Sequence, residues 1–499
     1  MELVTAKQMY EIDSLTQSKL LISQDVLIEK AAMELLTAVK EKLPGKILIV
    51  VGNGNNGADG IALGRLLLEC GENPDLYLCS KASDLKESPK LELNRYRLYG
   101  GNIVEELVIG TYDIIVDCIF GVGLNKEVVG DKLQVISEIN VMHQSGAYVI
   151  SADIPSGIDA TNGNVLGIAV EADLTVTFGY AKIGCFMDPG RLYSKKVKLA
   201  SIGMDYKRLG MDKPKYFTIP LGETVSLPKR NPMGNKGSFG RIAIVAGSRD
   251  MAGASYLSAY SSFLSGSGLV EVITPIENRQ MFLELLPETV LFTYDAAHPP
   301  IDEIVKHCNH ADCVIAGPGL SVTKHTKEMV YSIVENVEQT ILLDADALNC
   351  IAQMGCGFNQ EKHRNRKVII TPHPGEFSRL LKKTISEIKS SYIELCMDYA
   401  KRNGIIMVGK GSTSIVTDGE FVYINNTGSD AMAKAGSGDV LTGVIASLAG
   451  QGASAFDAAW KGVFLHGLAG NLASLDLSNY SLLASDIAKA IPEAIQCME

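Results

Sequence analysis

Asn426 to Gly443 reads NTGSDAMAKAGSGDVLTG and sets Gly436-Ser437-Gly438 directly before Asp439, at the head of the apolar run VLTGVIASLAG. Glycines let backbone N–H groups approach an anion closely, and a helix N-terminus carries partial positive charge. A phosphate docked there would lie beside a carboxylate able to take a proton. The plainer alternative is a helix cap, because Ser and Asp are common at that position. Five more clusters of the same half could converge on this one. Lys410-Gly411-Ser412-Thr413-Ser414 follows the strand-like IIMVG and offers a cation with backbone and hydroxyl donors for phosphate oxygens, or simply a surface turn. Thr371 to Glu376, TPHPGE, holds His373 stiffly between two prolines, for ligand contact or as a structural turn. Asp344, Asp346 and Asn349 lie in LDADALN, and Gly317-Pro318-Gly319 permits close backbone approach. Met251-Ala252-Gly253-Ala254 opens a helix of small residues that could face a flat ring.

The first half carries a separate set. Gly52 to Gly57, GNGNNG, formally matches GxGxxG, but a dinucleotide fingerprint also wants a carboxylate at the end of the next strand. That strand ends at Cys79-Ser80-Lys81, so an ordinary NAD site is rejected. What remains is Asn55, Asn56 and Asp59 among glycines: hard oxygen ligands for a cation or a sugar hydroxyl, or turn formers. Asp117 precedes FGVGLNKE, and Asp153 to Asp159 reads DIPSGID. Either aspartate could move a proton, or cap a helix.

The elements that must position these residues repeat one grammar. KILIVVGNGNNGADGIALGRLLLECG reads as strand, glycine loop and helix, followed by strands at DLYLCS, YDIIVDCIFG, AYVISADIPSG and DLTVTFG. The pattern weakens from about Tyr206 to Asn235, where four prolines intervene, and restarts at GRIAIVAGSRDMAGASYLSAYSSFL. Strands at DCVIAGPG, TILLDADALN, KVIITPHPGEF and GIIMVGKGSTSIVTDGEFVYIN follow, the last with a two-residue hairpin signal at Asp418-Gly419. Alternating strands and helices imply two α/β domains with mostly parallel sheets, whose ligands bind beyond the carboxyl ends of the strands.

Composition narrows the classes. A net charge of −11 argues against nucleic acid as the main partner. The ten cysteines form no CxxC pair and no zinc spacing, which suits buried free thiols in a reducing cytoplasm. The N-terminus has no apolar signal region, and polar residues interrupt the run after Asp439, so neither a leader nor a membrane span is expected.

GNGNNGADG, DCIFGVG and ADIPSGID together resemble the YjeF N-terminal domain, the NAD(P)H-hydrate epimerase, over residues 1–215. The TPHPGE, KGSTS and GSGDVLTG motifs in order resemble the YjeF C-terminal domain, the NAD(P)H-hydrate dehydratase of the ribokinase-like superfamily, over residues 225–499. The resemblance implies a Rossmann-like and a ribokinase-like three-layer sandwich. It implies epimerisation of hydrated NADH and NADPH, then dehydration of the S form at the expense of ADP. By residue it implies that Asn55, Asn56, Gly57, Ala58, Asp59, Gly121, Val122, Gly123, Leu124, Asn125, Lys126 and Glu127 line the first substrate, with Asp153 as acid/base. Asn56, Asp117 and Ser156 would hold K⁺. In the second domain Gly253, Ala254, Gly319 and His373 would contact the hydrate. Lys410, Gly411, Ser412, Thr413, Ser414 and Gly438 would hold AMP, and Asp439 would act as base with Mg²⁺. A homo-oligomer is expected. A small-molecule kinase with an accessory nucleotide-binding domain is the alternative. Two positions depart from the usual glycine. Ala58 is tolerable if its φ stays negative, and Ala435 would add roughly 1 kcal/mol of strain if its φ must be positive.

Overall fold

The structure is a computed structural model that describes residues 1–355, 358 and 367–498. The chain divides into two compact units, Met1–Phe217 and Thr218–Glu499.

The first unit is built on seven parallel strands: β1 Ile47–Val51, β2 Asp75–Leu78, β3 Asn102–Val104, β4 Ile114–Cys118, β5 Tyr148–Ala152, β6 Leu174–Phe178 and β7 Lys196–Ala200. Their order is β3-β2-β1-β4-β5-β6-β7. ILIVV of β1 and IIVDC of β4 are buried throughout, as central strands covered on both faces must be. The order reverses between β1 and β4, which opens a crevice at their carboxyl ends. Three helices frame it: α1 Ala6–Lys19, α2 Gln24–Lys40 and α3 Asn55–Glu69. The glycines after β1 are demanded by packing. A Cβ on Gly52 would stand 2.0 Å from the Ile119 carbonyl oxygen, and one on Gly57 would stand 2.1 Å from that of Gly52. Ala58 lies fully buried inside α3 and outside the positive-φ set, so its methyl is accommodated. The short strand Glu2–Val4 pairs with Ala181–Lys182 on one side and Tyr216–Phe217 on the other, which fixes α1 and Lys182 beside the crevice.

Among the described residues the second unit has nine strands: β8 Arg241–Val245, β9 Leu269–Pro275, β10 Val290–Tyr294, β11 Cys313–Ala316, β12 Thr340–Leu343, β13 Val368–Ile370, β14 Ile406–Gly409, β15 Ile415–Thr417 and β16 Val422–Ile424. The order is β10-β9-β8-β11-β12-β13-β14-β15-β16, parallel as far as β14 and antiparallel beyond. The β15–β16 loop has four residues, Asp418 to Phe421, and not the two expected. The reason is local: the Asp418 carboxylate accepts from both Glu420 and Phe421 N–H and holds a wider turn.

Four helices matter to the site: α4 Ala252–Leu264, α5 Pro374–Leu381, α6 Ser437–Gly450 and α7 Ala455–Asp476. Of these, α4 and α6 pack side by side and parallel on small residues. Ser258 donates to the Asp439 carbonyl and Ser262 to that of Gly443, four residues on in each helix. A Cβ on Gly443 would meet Ser261 Oγ at 2.1 Å. This in-step packing brings the N-termini of α4 and α6 to the same end.

Candidate functional site

The crevice of the first unit is a cavity of about 350 Å³. Met9, Tyr10 and Asp13 of α1, Leu27 and Ile28 of α2, and Asn55, Asn56 and Asp59 of α3 form part of its wall. The β4 loop contributes Ile119 to Leu124, and Asp153 and Lys182 complete the polar part. Asp153 follows β5 with a φ of +68°, a strained conformation for a side-chain-bearing residue. The Lys182 ammonium, on a side chain only 1% exposed, forms a very short ion pair with Asp153 Oδ1. Lys182 Nζ also donates to the Phe178 carbonyl at 2.9 Å and to Thr177 Oγ1 at 3.2 Å. The Phe178 N–H adds a second donor to Asp153 Oδ1. Oδ1 is thus clamped from behind, and Oδ2 lies 3.3 Å from where a Gly121 Cβ would stand, on the cavity side.

Below this, Asp117 is completely buried. Its carboxylate accepts from Ser156 Oγ at 2.6 Å, Ser151 Oγ at 2.8 Å, Ser156 N at 2.9 Å and Ile119 N at 3.2 Å. Burial pushes its pKa up while these donors pull it down, and burial wins. The Phe120 carbonyl accepts from Asn56 Nδ2 at 3.0 Å, and Phe120 N donates to Ser156 Oγ at 2.8 Å. Asn56, Asp117 and Ser156 therefore meet in one oxygen-rich network around Phe120.

The second unit gathers its site at the carboxyl ends of β12, β13 and β14. Lys410 Nζ lies 2.7 Å from Asp344 Oδ1, which also accepts from Thr371 Oγ1 at 2.6 Å. A Cβ on Gly438 would stand 3.4 Å from Lys410 Nζ and 3.7 Å from Asp344 Oδ2, so the first turn of α6 rests on this pair. Asp439 sits on that turn. Burial, then the charge of Asp344, raises its pKa to about 7, against the opposing pull of Lys410. Burial works to lower the pKa of Lys410, but Asp344, Glu376 and Asp439 outweigh it and keep the ammonium charged. His466 of α7 is buried with Nε2 3.4 Å from Ser437 Oγ. Burial drops its pKa to about 4, so it stays neutral at physiological pH.

A family model described as NAD(P)H-hydrate dehydratase matches residues 242–493, and one described as YjeF-related protein N-terminus matches residues 24–184. The "Bifunctional NAD(P)H-hydrate repair enzyme Nnr" of Moorella thermoacetica is 32% identical over 530 residues, covering 100% of this chain and 97% of that one. The chain belongs to the bifunctional NAD(P)H-hydrate repair enzyme family. The Escherichia coli member is 32% identical over 454 residues, covering 90% of this chain and 84% of its own. A solved ribokinase-like superfamily protein from Enterococcus faecalis aligns with a TM-score of 0.50 at 23% identity, over 57% of this chain and 97% of that one, and shares the fold of the second unit.

Against this family background the expected site residues fall unevenly. Asn55, Asn56, Asp59, Gly121, Val122, Gly123, Leu124 and Asp153 line the first cavity. Gly57 and Ala58 are buried in the packing of α3, and Asn125, Lys126 and Glu127 are exposed beyond the wall. In the second unit Lys410, Asp344, Gly438 and Asp439 converge. Lys410 N donates to the Pro372 carbonyl, which ties the KGSTS loop to the TPHPGE turn. Gly411 and Ser412 are exposed at that loop, Thr413 is buried and Ser414 is partly so. His373 is the N-cap of α5: its Nδ1 accepts from Gly375 N, and its Nε2 faces Glu376 at 3.3 Å. Gly319, at φ +64°, packs on Met251 and Ala254, whereas Gly253 faces open space. Asp346 and Asn349 turn away, to Ser321 N and to Arg379. Ala435 is not in the left-handed region. Gly436 carries the positive φ, +92°, so the expected strain at Ala435 does not arise. Sequence reasoning missed Tyr10, Asp13, Lys182 and His466. Lone charged or aromatic residues in helices and short strands carry no local signal of a cavity. Cys356 lies outside the described residues.

Proposed function

We propose that the first unit interconverts the R and S epimers of hydrated NADH and NADPH. The second unit dehydrates the S epimer at the expense of ADP, giving NADH or NADPH, AMP and phosphate. The observation that carries this reading is Asp439, a partly buried carboxyl with a pKa near 7 on a glycine turn, beside a charged lysine. A group poised near neutrality suits general-base work. Asp439 takes the proton of the C6 hydroxyl as that oxygen bonds to the β-phosphorus of ADP and the bond to AMP breaks. Phosphate then leaves C6 and a proton leaves C5, which restores the C5–C6 double bond. The α6 N–H groups and Lys410 hold phosphoryl oxygens through the transfer. Gly253, Ala254, Gly319 and His373 border the hydrate, and Lys410 to Ser414 with Gly438 border AMP.

Among the described residues no three His, Cys, Asp or Glu side chains converge to hold a metal. This suits Mg²⁺ carried by the phosphates, since Mg²⁺ commonly takes only one or two carboxylates. Mg²⁺ bound with ADP would offset the negative charge that Asp344, Glu376 and Asp439 together present to a phosphate. In the first unit the Asn56 amide, Asp117, Ser156 and the Phe120 carbonyl form a hard-oxygen set that fits K⁺, which would neutralise the fully buried Asp117. The amide of Asn56 presents oxygen in place of nitrogen after a half-turn. Asp153 serves as acid/base, with Asn55, Asp59 and Gly121 to Leu124 around the substrate. The mostly buried free cysteines suit a reducing cytoplasm. Among the described residues no helix is long and apolar enough to cross a membrane. Assembly as a homo-oligomer belongs to the same proposal.

The test incubates mixed-epimer NADHX with ADP or ATP and follows NADH absorbance and free phosphate. Complete consumption of both epimers with phosphate release is expected. A phosphorylated product retained in place of free phosphate would overturn the reading in favour of a kinase.

A further inference from the structure

The first cavity holds a carboxyl that no donor among the described residues answers. Asp59, on the first turn of α3, is 9% exposed and lines the cavity with Asp153 and Asp13. Among the described residues it has no hydrogen-bond donor and no ion-pair partner, in contrast to Asp117 with its four donors and Asp153 with its lysine. A buried carboxyl without a partner is costly as an anion. We propose that Asp59 is the proton donor of the epimerisation and acts in tandem with Asp153, the anion that Lys182 holds. The inference rests on the epimerase reading of this cavity.

The surroundings of the two carboxyls differ in the sense this division of labour requires. Burial, then the nearby charges of Asp153 and Asp13, pushes the Asp59 carboxyl well above the usual carboxylate range. Asp153 has one oxygen clamped by Lys182 and Phe178 N–H and the other on the cavity side. A carboxyl that no described donor reaches is suited to the acid role, and one held by a lysine with its other oxygen on the cavity side is suited to the base role.

In the forward step the C6–O bond of the hydrate breaks with its electron pair on oxygen, Asp59 supplies the proton, and water departs. The ring-nitrogen lone pair forms the C6–N double bond. A water molecule then bonds to C6 on the other face, and Asp153 takes its proton. Solvent exchange returns Asp153 to the anion and Asp59 to the acid. The reverse epimerisation runs the same steps backward, with Asp153 giving the proton. No redox change occurs, and one water enters as one leaves.

The test measures R-to-S exchange of NADHX by the full chain, without ADP, for wild type, Asp59→Asn and Asp59→Ala. Asp59→Asn is expected to lower kcat by about 10²-fold or more with KM within about three-fold. Formate is expected to restore activity to Asp59→Ala in a concentration-dependent manner. Incorporation of ¹⁸O from labelled water at C6 is expected in the wild-type product. A kcat for Asp59→Asn within about three-fold of wild type, or a loss confined to KM, overturns the proposal. So do an Asp59→Ala enzyme that formate cannot revive and product that keeps its original oxygen. Wild type that exchanges no epimers refutes the epimerase reading itself, a distinct outcome.

Discussion

Asp439→Asn is expected to make the second unit more stable while abolishing hydrate repair. In the folded chain burial and Asp344 move the Asp439 carboxyl from an ordinary 3.8 to about 7. At about 1.36 kcal/mol per pH unit, that displacement corresponds to roughly 4 kcal/mol. Because the side chain is partly open to solvent, a discounted value of roughly 2 kcal/mol is the working figure. The sign follows from proton counts. Below about pH 4 folded and unfolded forms both carry the proton, and the group costs nothing. Between there and about pH 7 the folded form holds more protons than the unfolded one, so stability falls as pH rises. Above that the full cost is present. Asparagine has no charge to bury, so the variant gains most at about pH 8 and little at about pH 4. The assay is thermal unfolding of the full chain at both pH values, read on the transition that the substitution moves, since two units need not unfold together. A variant no more stable than wild type at the higher pH, or one with the same gain at both pH values, would refute the electrostatic reasoning.

Lys182→Met strips Asp153 of its buried partner, so R-to-S exchange should fall at least about ten-fold and the first unit should lose about 3 kcal/mol in denaturant unfolding; unchanged exchange would remove Lys182 from the site. Gly443→Val drives a side chain into Ser261 Oγ and the Ser258 carbonyl, and should cost about 1–3 kcal/mol in the same measurement. Gly436→Ala meets both a φ of +92° and Leu257 Cδ1 at 2.6 Å, so it should cost more than about 1 kcal/mol, whereas Ala435→Gly should be within that of wild type; equal effects on Tm would contradict the assignment of the left-handed residue. Choline in place of K⁺ should slow epimerisation and leave dehydration of pure S epimer untouched if Asn56, Asp117 and Ser156 hold the ion, and equal rates in the two salts would discard that site.

Much of the frame was legible because it is written in local pattern. Continuous apolar runs such as ILIVV and IIVDC suit central parallel strands, and a glycine loop followed by small residues marks the turn into a covering helix. The half-exposed strands Asn102–Val104, Lys196–Ala200 and Val290–Tyr294 escaped notice, since edge strands bury too little surface to leave a clean period. The chemistry divided likewise. The strand-end residues Asp117, Asp153, Asp344 and Lys410 could be singled out from their flanking apolar runs. Nothing local distinguishes Asp344, which faces Lys410, from Asp346 two positions on, which turns to Ser321.

The sequence by itself determined two α/β units and a glycine turn, Gly436-Ser437-Gly438, that sets Asp439 in the first turn of a helix. These depend on residue type and short-range spacing alone. Only the tertiary structure decided which charges meet. The clamp of Lys182 on Asp153 spans 29 positions, the pair of Lys410 with Asp344 spans 66, and burial helps set the ionisation of the groups around them. Burial and pairing are properties of the assembled surroundings, so the raised pKa of the buried Asp59 carboxyl and the near-neutral pKa of Asp439 exist only once the strands and helices have closed around them.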